Sequence, residues 1–217
     1  MSKRRRIALR VVERGYDRIA ERYALWLANE VTDQVRPRYT ALLLDTLPPD
    51  ARVLELGCGG GGPTTRRLAE RFVLTGVDIS ARQIELARQN VSGATFVHAD
   101  MTRLTFPPSS FDAVAAFYAL THLPHGELPH LLHRITAWLR PGGLFVASMG
   151  GGSDPGTVEP NWLGAPMYFS GYPPEESQRV VAQAGLELLS AQDGTIVENG
   201  HPTTFLWVLA RKPDSTA

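Results

Sequence analysis

The chain has one cysteine, Cys58, and only two lysines, Lys3 and Lys212. A single cysteine excludes an internal disulfide and any multi-cysteine metal site, and no metal ligand set is expected. No apolar run approaches the ~18 residues that a membrane-spanning helix needs. No signal-peptide core follows the basic start Lys3-Arg4-Arg5-Arg6, so the expectation is a cytoplasmic protein with no membrane partner. Charge of one sign is lacking as well. Lys+Arg 22 against Asp+Glu 22 gives a formal net charge of +0, which removes an overall electrostatic drive toward nucleic acid. The basic run reads as a solvated, frayed end. Internal repeats and low-complexity segments are missing too. What remains is 43% hydrophobic residues in 217, which suits one compact domain with a sizeable core.

The pattern from about Ile7 to Leu47 is helical, and Tyr16, Ile19, Ala20, Tyr23, Trp26 and Leu27 recur at spacings of three and four along one face. A second helix is predicted from near Asp33 to Thr46, closed by Pro48-Pro49. Strands then alternate with helices. Strands are expected at 52–56, 73–78, 95–100, 111–117 and 144–149, and helices at 63–70, 81–90 and 128–139, the last stopped by Pro141-Gly142-Gly143. Such alternation predicts parallel pairing with helices on both faces. Regularity breaks between Gly150 and Pro173, in a stretch that is both glycine-rich and aromatic, with Trp162, Met167, Tyr168, Phe169 and Tyr172. A long loop of that kind reads as a lid. A helix at 174–184 and strands at 186–191 and 204–210, joined through Glu198-Asn199-Gly200, finish the chain.

The expected fold is therefore α/β: a doubly wound, Rossmann-like seven-stranded sheet, mostly parallel with a terminal antiparallel hairpin, under an N-terminal helical cap. It divides into a cap (1–47), a cofactor-binding core (50–149), a substrate lid (150–173) and a terminal helix and hairpin (174–217). In such sheets ligands sit beyond the carboxyl ends of the strands.

The centre of the pattern is Val53-Leu54-Glu55-Leu56-Gly57-Cys58-Gly59-Gly60-Gly61-Gly62, a buried strand entering a loop whose glycines leave backbone amides free for something polar. Gly57, Gly59 and Gly62 satisfy G-x-G-x-x-G, and Asp78 ends the second strand, placed to accept from ribose hydroxyls. That much fits a nicotinamide dinucleotide as well as any other nucleoside cofactor. Glu55 argues the other way. A carboxylate inside the first strand is costly unless it receives hydrogen bonds or faces a cation. Asp100, after the third strand, could accept from an exocyclic adenine amine.

With these residues, and with the stretches Phe111 to Pro124 and Leu139-Arg140-Pro141-Gly142-Gly143, the chain resembles the class I S-adenosylmethionine-dependent methyltransferases over roughly Tyr16 to Met149. The resemblance implies S-adenosyl-L-methionine as cofactor and a small-molecule acceptor. It implies that Gly57, Cys58 and Gly59, in a loop reaching Gly61, face the methionine portion, with Glu55 orienting the loop or meeting the amino group. Asp78 would hold the ribose, Ile79 lie against adenine, and Asp100 with the backbone of Met101 read the adenine edge. The carbonyl of Phe117 would accept from the amino group, and Tyr16 or Tyr23 would reach the cofactor carboxylate.

Methyl transfer asks mainly for alignment, and for a base when the acceptor must lose a proton. His122, after the fourth strand, is the candidate base and a neighbour of the cofactor, with Tyr118 beside it; Glu159 and Tyr168 could border the acceptor. Aromatic content in the cap and lid suggests an acceptor that is partly apolar or aromatic. The alternatives are a nicotinamide-dependent oxidoreductase, for which neither lysine follows a tyrosine by four residues, and a non-catalytic cofactor-binding protein of the same fold.

Overall fold

The computed structural model describes residues 3–214. Helix α1 (Lys3–Asn29) leads through the two-residue strand β1 (Val31–Thr32) and helix α2 (Val35–Thr46) into β2 (Arg52–Leu56). There follow α3 (Pro63–Arg71), β3 (Val73–Asp78), α4 (Ala81–Asn90), β4 (Thr95–His98), β5 (Phe111–Ala116), α5 (Glu127–Trp138) and β6 (Leu139–Gly150). The chain ends with β7 (Asp154–Trp162), β8 (Ala165–Gly171), α6 (Pro174–Gln183), β9 (Glu187–Glu198) and β10 (His201–Arg211).

The main sheet runs β1-β9-β10-β6-β5-β2-β3-β4. Strands β6, β5, β2, β3 and β4 are parallel, and β10 pairs antiparallel with both β6 and β9. The chain winds outward from β2 through β3 and β4, then returns to β5 on the other side of β2. That reversal opens a crevice at the carboxyl ends of the strands. Every residue of β5 is buried, as a parallel strand covered on both faces requires. Leu54, Val114 and Phe145 pack under Leu131 of α5 and Val181 of α6. Val53, Ala113 and Val146 pack on the opposite face with Leu43 of α2 and Leu68 of α3.

The seven expected strands are present, and β1 adds an eighth by pairing Val31 with Glu198 at the sheet edge. Several run longer than the sequence indicates. β6 begins at Leu139 and passes straight through Pro141-Gly142-Gly143. Strand β4 is shorter, stopping at His98, because the Asp100 carboxylate turns the chain into a single 3-10 turn, Met101–Arg103.

Residues 150–173 depart furthest from expectation: much of this stretch is a two-stranded antiparallel hairpin, β7 with β8. Trp162 pairs with Ala165 across Leu163-Gly164, both with positive φ (50° and 93°), the handedness a two-residue hairpin turn needs. Pro155, Pro160 and Pro166 hide this in the sequence. A proline cannot donate to a ladder, but a lone ribbon has an outer edge on each strand where no donor is required. The hairpin lies on α1 at Gly15, where a Cβ would sit 2.8 Å from both Met167 Cε and the Pro166 carbonyl oxygen.

Helix α1 is fastened along its length. Arg5 pairs with Glu127 of α5 at 3.0 Å and donates to Thr102 Oγ1 at 2.7 Å, so the basic run, expected to be frayed, is anchored at Arg5. Farther on, Asp17 accepts from Ser80 Oγ at 2.7 Å, and Arg82 pairs with Glu21. Near its end, Trp26 Nε1 donates to Asn199 Oδ1 in the β9–β10 turn at 2.8 Å.

Candidate functional site

Strand β2 delivers Glu55 and the glycine loop to the crevice. Gly57 takes φ +75°, and a Cβ there would collide with Ala119 Cβ, so both conformation and space demand glycine. Four of the loop amides are engaged, where the sequence suggested free ones. Gly57 N and Cys58 N both donate to the Val77 carbonyl, at 2.8 and 3.0 Å, Gly59 N donates to Asp78 Oδ2 at 2.9 Å, and Gly61 N donates to Cys58 O at 3.4 Å. Pro63 at the start of α3 removes a further donor. Gly60 and Gly61 lie against Leu86, Ala87 and Val91 on the α4 side, and the Cys58 side chain is buried with Ile84 and Phe96. Burial raises the Cys58 thiol well above its ordinary pKa, which removes it as a nucleophile.

Three carboxylates stand within β2, at the end of β3 and just past β4. Glu55 is buried, and its Oε2 has no hydrogen-bond partner among the described residues. Burial pushes its pKa up to about 8, against the opposing pull of the Thr65 hydroxyl and the Arg36 charge. Asp78 accepts from Gly59 N and, through Oδ1, from Ser80 N at 2.9 Å; burial still raises it to about 6. Asp100 accepts through Oδ1 from Thr102 N at 2.8 Å and from the Thr102 hydroxyl at 2.6 Å, and that hydroxyl takes the Arg5 bond. Ile79 packs half-buried with Tyr16 and Tyr23, while Met101 lies against the core under α5.

A dinucleotide needs amides for its pyrophosphate, and here those of Gly57, Cys58, Gly59 and Gly61 are taken. A set of acceptors with an orphaned buried oxygen instead suits a ligand presenting donors: an ammonium, ribose hydroxyls and an exocyclic amine. S-adenosylmethionine presents these and no phosphate. The residues present fit it.

The end of β5 carries the next part. Phe117 is buried and tilted against Trp207. Tyr118 follows with φ +58°, an uncommon value for a non-glycine residue, held there by donation from its N–H to Ser148 Oγ at 2.6 Å. Its hydroxyl donates to Asp33 Oδ2 at 2.8 Å, and burial with the Asp33 charge drives its pKa far upward. Tyr118 is thus a fixed donor and not a base.

His122 is held from two sides. Its Nδ1 lies 2.8 Å from the Tyr168 carbonyl on β8, an acceptor only, so Nδ1 carries the proton. Its Nε2 is 2.8 Å from Tyr16 Oη and therefore accepts from that hydroxyl. Burial lowers the imidazole to about 4 and, first among several causes, raises the Tyr16 hydroxyl, so both are neutral at pH 7. Tyr23 meets Tyr16 edge-on, with ring centroids 5.2 Å apart, so the two tyrosines named for one task form a single unit. The Tyr168 ring turns away, its hydroxyl accepting from His125 N at 3.2 Å.

Beside this pair lies a cavity of about 350 Å³. Helix α1 contributes Tyr16, Tyr23 and Trp26, and the β5 end contributes Tyr118 and His122. The β7–β8 hairpin supplies Glu159, Trp162 and Phe169, and the β9–β10 hairpin Glu198 and Phe205. No local signal marks Glu198 or Phe205, which enter only because β10 inserts between β9 and β6; the turn signal at Asn199-Gly200 marks the hairpin but not its neighbour.

Comparison with known proteins gives concordant matches. A family model described as a methyltransferase domain matches residues 53–143. The chain is 31% identical over 210 residues to the 27-O-demethylrifamycin SV methyltransferase of Amycolatopsis mediterranei (strain S699), covering 84% of this chain and 75% of that protein. Of seven further curated relatives, the chain spans between 27% and 52% of their length. Among solved structures, the Burkholderia thailandensis 1,6-didemethyltoxoflavin-N1-methyltransferase, crystallised with 1,6-didemethyltoxoflavin and S-adenosylhomocysteine, superposes with TM-score 0.70 at 22% identity, covering 99% of this chain and 92% of that one. The [4+2]-cyclase SpnF superposes with TM-score 0.73 at 19% identity over 94% and 95% of the two chains.

Proposed function

The chain belongs to the class I S-adenosylmethionine-dependent methyltransferases, and on that premise we propose that it methylates a small, partly apolar or aromatic acceptor held in the cavity beside Tyr16 and His122. The observation that carries the acceptor class is the cavity itself. At about 350 Å³ it lies in the range of small-ligand sites, and aromatic rings dominate its wall. The names of the relatives, a rifamycin and a toxoflavin precursor methyltransferase, point the same way.

In this reading residues 1–47 are the cap, 50–149 the cofactor-binding core, 150–173 the lid over the acceptor, and 174–217 the terminal helix and hairpin. Glu55 receives the cofactor's ammonium, aided by the Phe117 carbonyl, and Asp78 receives the ribose hydroxyls. Ile79 lies on adenine while Asp100 and the Met101 backbone read its edge. Gly57, Cys58 and Gly59 contribute shape and, through their bonds to Val77 and Asp78, fix the carboxylate. Tyr16 and Tyr23 close over the methionine end. No helix among the described residues is long and apolar enough to cross a membrane, and we place the reaction in the cytoplasm, with a metabolite and not a nucleic acid as acceptor.

S-adenosylmethionine held by these residues would supply an electrophilic methyl group, with a neutral thioether as its leaving group. The chain's task is to align the acceptor for in-line attack, which can supply ~7–11 kcal/mol of the barrier. Where the acceptor atom carries a proton, that proton passes to Tyr16 Oη as the tyrosine proton moves to His122 Nε2, while the Tyr168 carbonyl holds Nδ1–H. With His122 at about 4, the pair takes the proton only as methylation acidifies the acceptor.

Calorimetric titration tests the cofactor: S-adenosylmethionine should bind and NAD should not, and absence of sulfonium binding would sink the reading. Radiolabelled methyl transfer into a fractionated cell extract tests the acceptor class. Label is expected in the small-molecule fraction, and label confined to protein or RNA would overturn the metabolite assignment.

A further inference from the structure

Building on the methyltransferase reading, we infer that the acceptor carries a protonated amine, recognised by Glu198 and Glu159, which line the cavity together with Trp26 and Trp162. The charged side chains on the cavity wall are these two carboxylates; among the described residues no lysine or arginine lines it. Arg36, behind Tyr118, is committed to Asp33 at 3.2 Å and to the Tyr118 ring, 5.3 Å from its centroid. The wall therefore offers negative charge without a built-in counter-ion.

Glu198 is half-buried and fixed. The Thr203 hydroxyl donates to its Oε2 at 3.1 Å, and among the described residues no donor is bonded to its other oxygen. Burial and the nearby Asp33 charge both oppose its ionisation. A cation against it relieves both, and an anion would compound them. Trp26 is held in place through its Nε1 bond to Asn199, the residue after Glu198, so an indole and a carboxylate are positioned together by one turn. Ring faces beside a carboxylate attract an organic ammonium, whereas they offer a carboxylate or phosphate nothing.

Tyr16 and His122 line the cavity from α1 and the β5 end, and Glu198, Thr203 and Phe205 line it from the last hairpin. With proton transfer assigned to Tyr16 and His122, the ammonium is a recognition group, and the methylated atom is the one presented to that pair.

The test uses the full chain saturated with S-adenosylhomocysteine and three size-matched probes: phenethylammonium, phenethyl alcohol and phenylacetate. Quenching of tryptophan fluorescence and calorimetry read the affinities. Phenethylammonium should bind about tenfold tighter than the alcohol, with phenylacetate weakest. Glu198→Gln, which keeps the Thr203 bond, should abolish that preference, and Glu159→Gln should reduce it less. S-adenosylhomocysteine affinity should be the same in each variant, reporting an intact fold. Equal or tighter binding of phenylacetate, no binding of phenethylammonium at millimolar concentration, or a preference that survives both substitutions would overturn the assignment. Loss of cofactor binding by the unsubstituted protein would instead overturn the methyltransferase reading and leave the amine preference to stand or fall on its own arm.

Discussion

The two halves of the proposed site are built on opposite plans. The cofactor half comes from the ends of neighbouring parallel strands, and its shape is set by backbone: Gly57 N and Cys58 N on Val77, Gly59 N on Asp78. The acceptor half comes from α1, the β5 end and two hairpins, and its shape is set by side chains, chiefly aromatic ones. A backbone-built pocket tolerates few residue types at a handful of consecutive positions. A side-chain-built pocket can change its contents while the fold stays the same, so the same scaffold holds one cofactor and many acceptors.

That contrast can be broken most severely at Gly57. Gly57→Val places a branched side chain at positive φ against Ala119, a strain of about 2–6 kcal/mol from conformation and overpacking together. Cofactor affinity should fall at least ~100-fold, and the melting temperature should drop with it; wild-type calorimetry would show that the cofactor half does not depend on glycine here. Next is His122→Gln. The rate at saturating acceptor should fall by ~100-fold while cofactor affinity changes little, and an unchanged rate would remove the histidine from proton transfer. Trp162→Ala should act on the acceptor half alone, raising the acceptor KM about tenfold and lowering stability by ~2–3 kcal/mol, with cofactor titration unaltered.

Two pH effects sharpen the comparison further. Glu55 is raised in the fold, so its contribution to the cofactor-free protein is fully present below its unfolded value and is lost as pH rises toward about 8. Glu55→Gln should flatten that decline in a series of melts from pH 5 to 8.5. His122 is lowered, so the imidazole stays neutral down to about 4. The acid limb of kcat should therefore carry no His122 transition near 6.5, and one there that His122→Gln removes would show the Tyr16–His122 pair to be misassigned.

The sequence carries the cofactor half more plainly than the acceptor half, for the same physical reason. Strand alternation, the glycines, Glu55 inside its strand and the acids Asp78 and Asp100 expected at strand ends are local signals, because each follows from its own segment. Even there one inference held only in part: glycine richness suggested free amides, yet Val77 and Asp78 occupy those of Gly57, Cys58 and Gly59, a pairing between neighbouring strands that no single segment announces. In the acceptor half, Tyr16, Tyr23 and Trp26 are legible as a helix face. Their covering is not. It depends on a hairpin turned by Leu163-Gly164 in place of a stronger turn pair, and on prolines that disguise two edge strands. Glu198 reaches the cavity only through the order β9-β10-β6, which is a property of the whole sheet.

One feature of the cavity bears on how such an enzyme changes over evolutionary time. The Trp162 ring lies within 5.6–6.3 Å of the centroids of Tyr16, Tyr23, Trp26, His122 and Phe169. Substitutions at rings in mutual contact do not add, with couplings of about 0.5–3 kcal/mol. A shift in acceptor preference at this site is therefore epistatic: single replacements are largely deleterious, and a new preference arises when a ring on α1 and its counterpart on the β7–β8 hairpin change together.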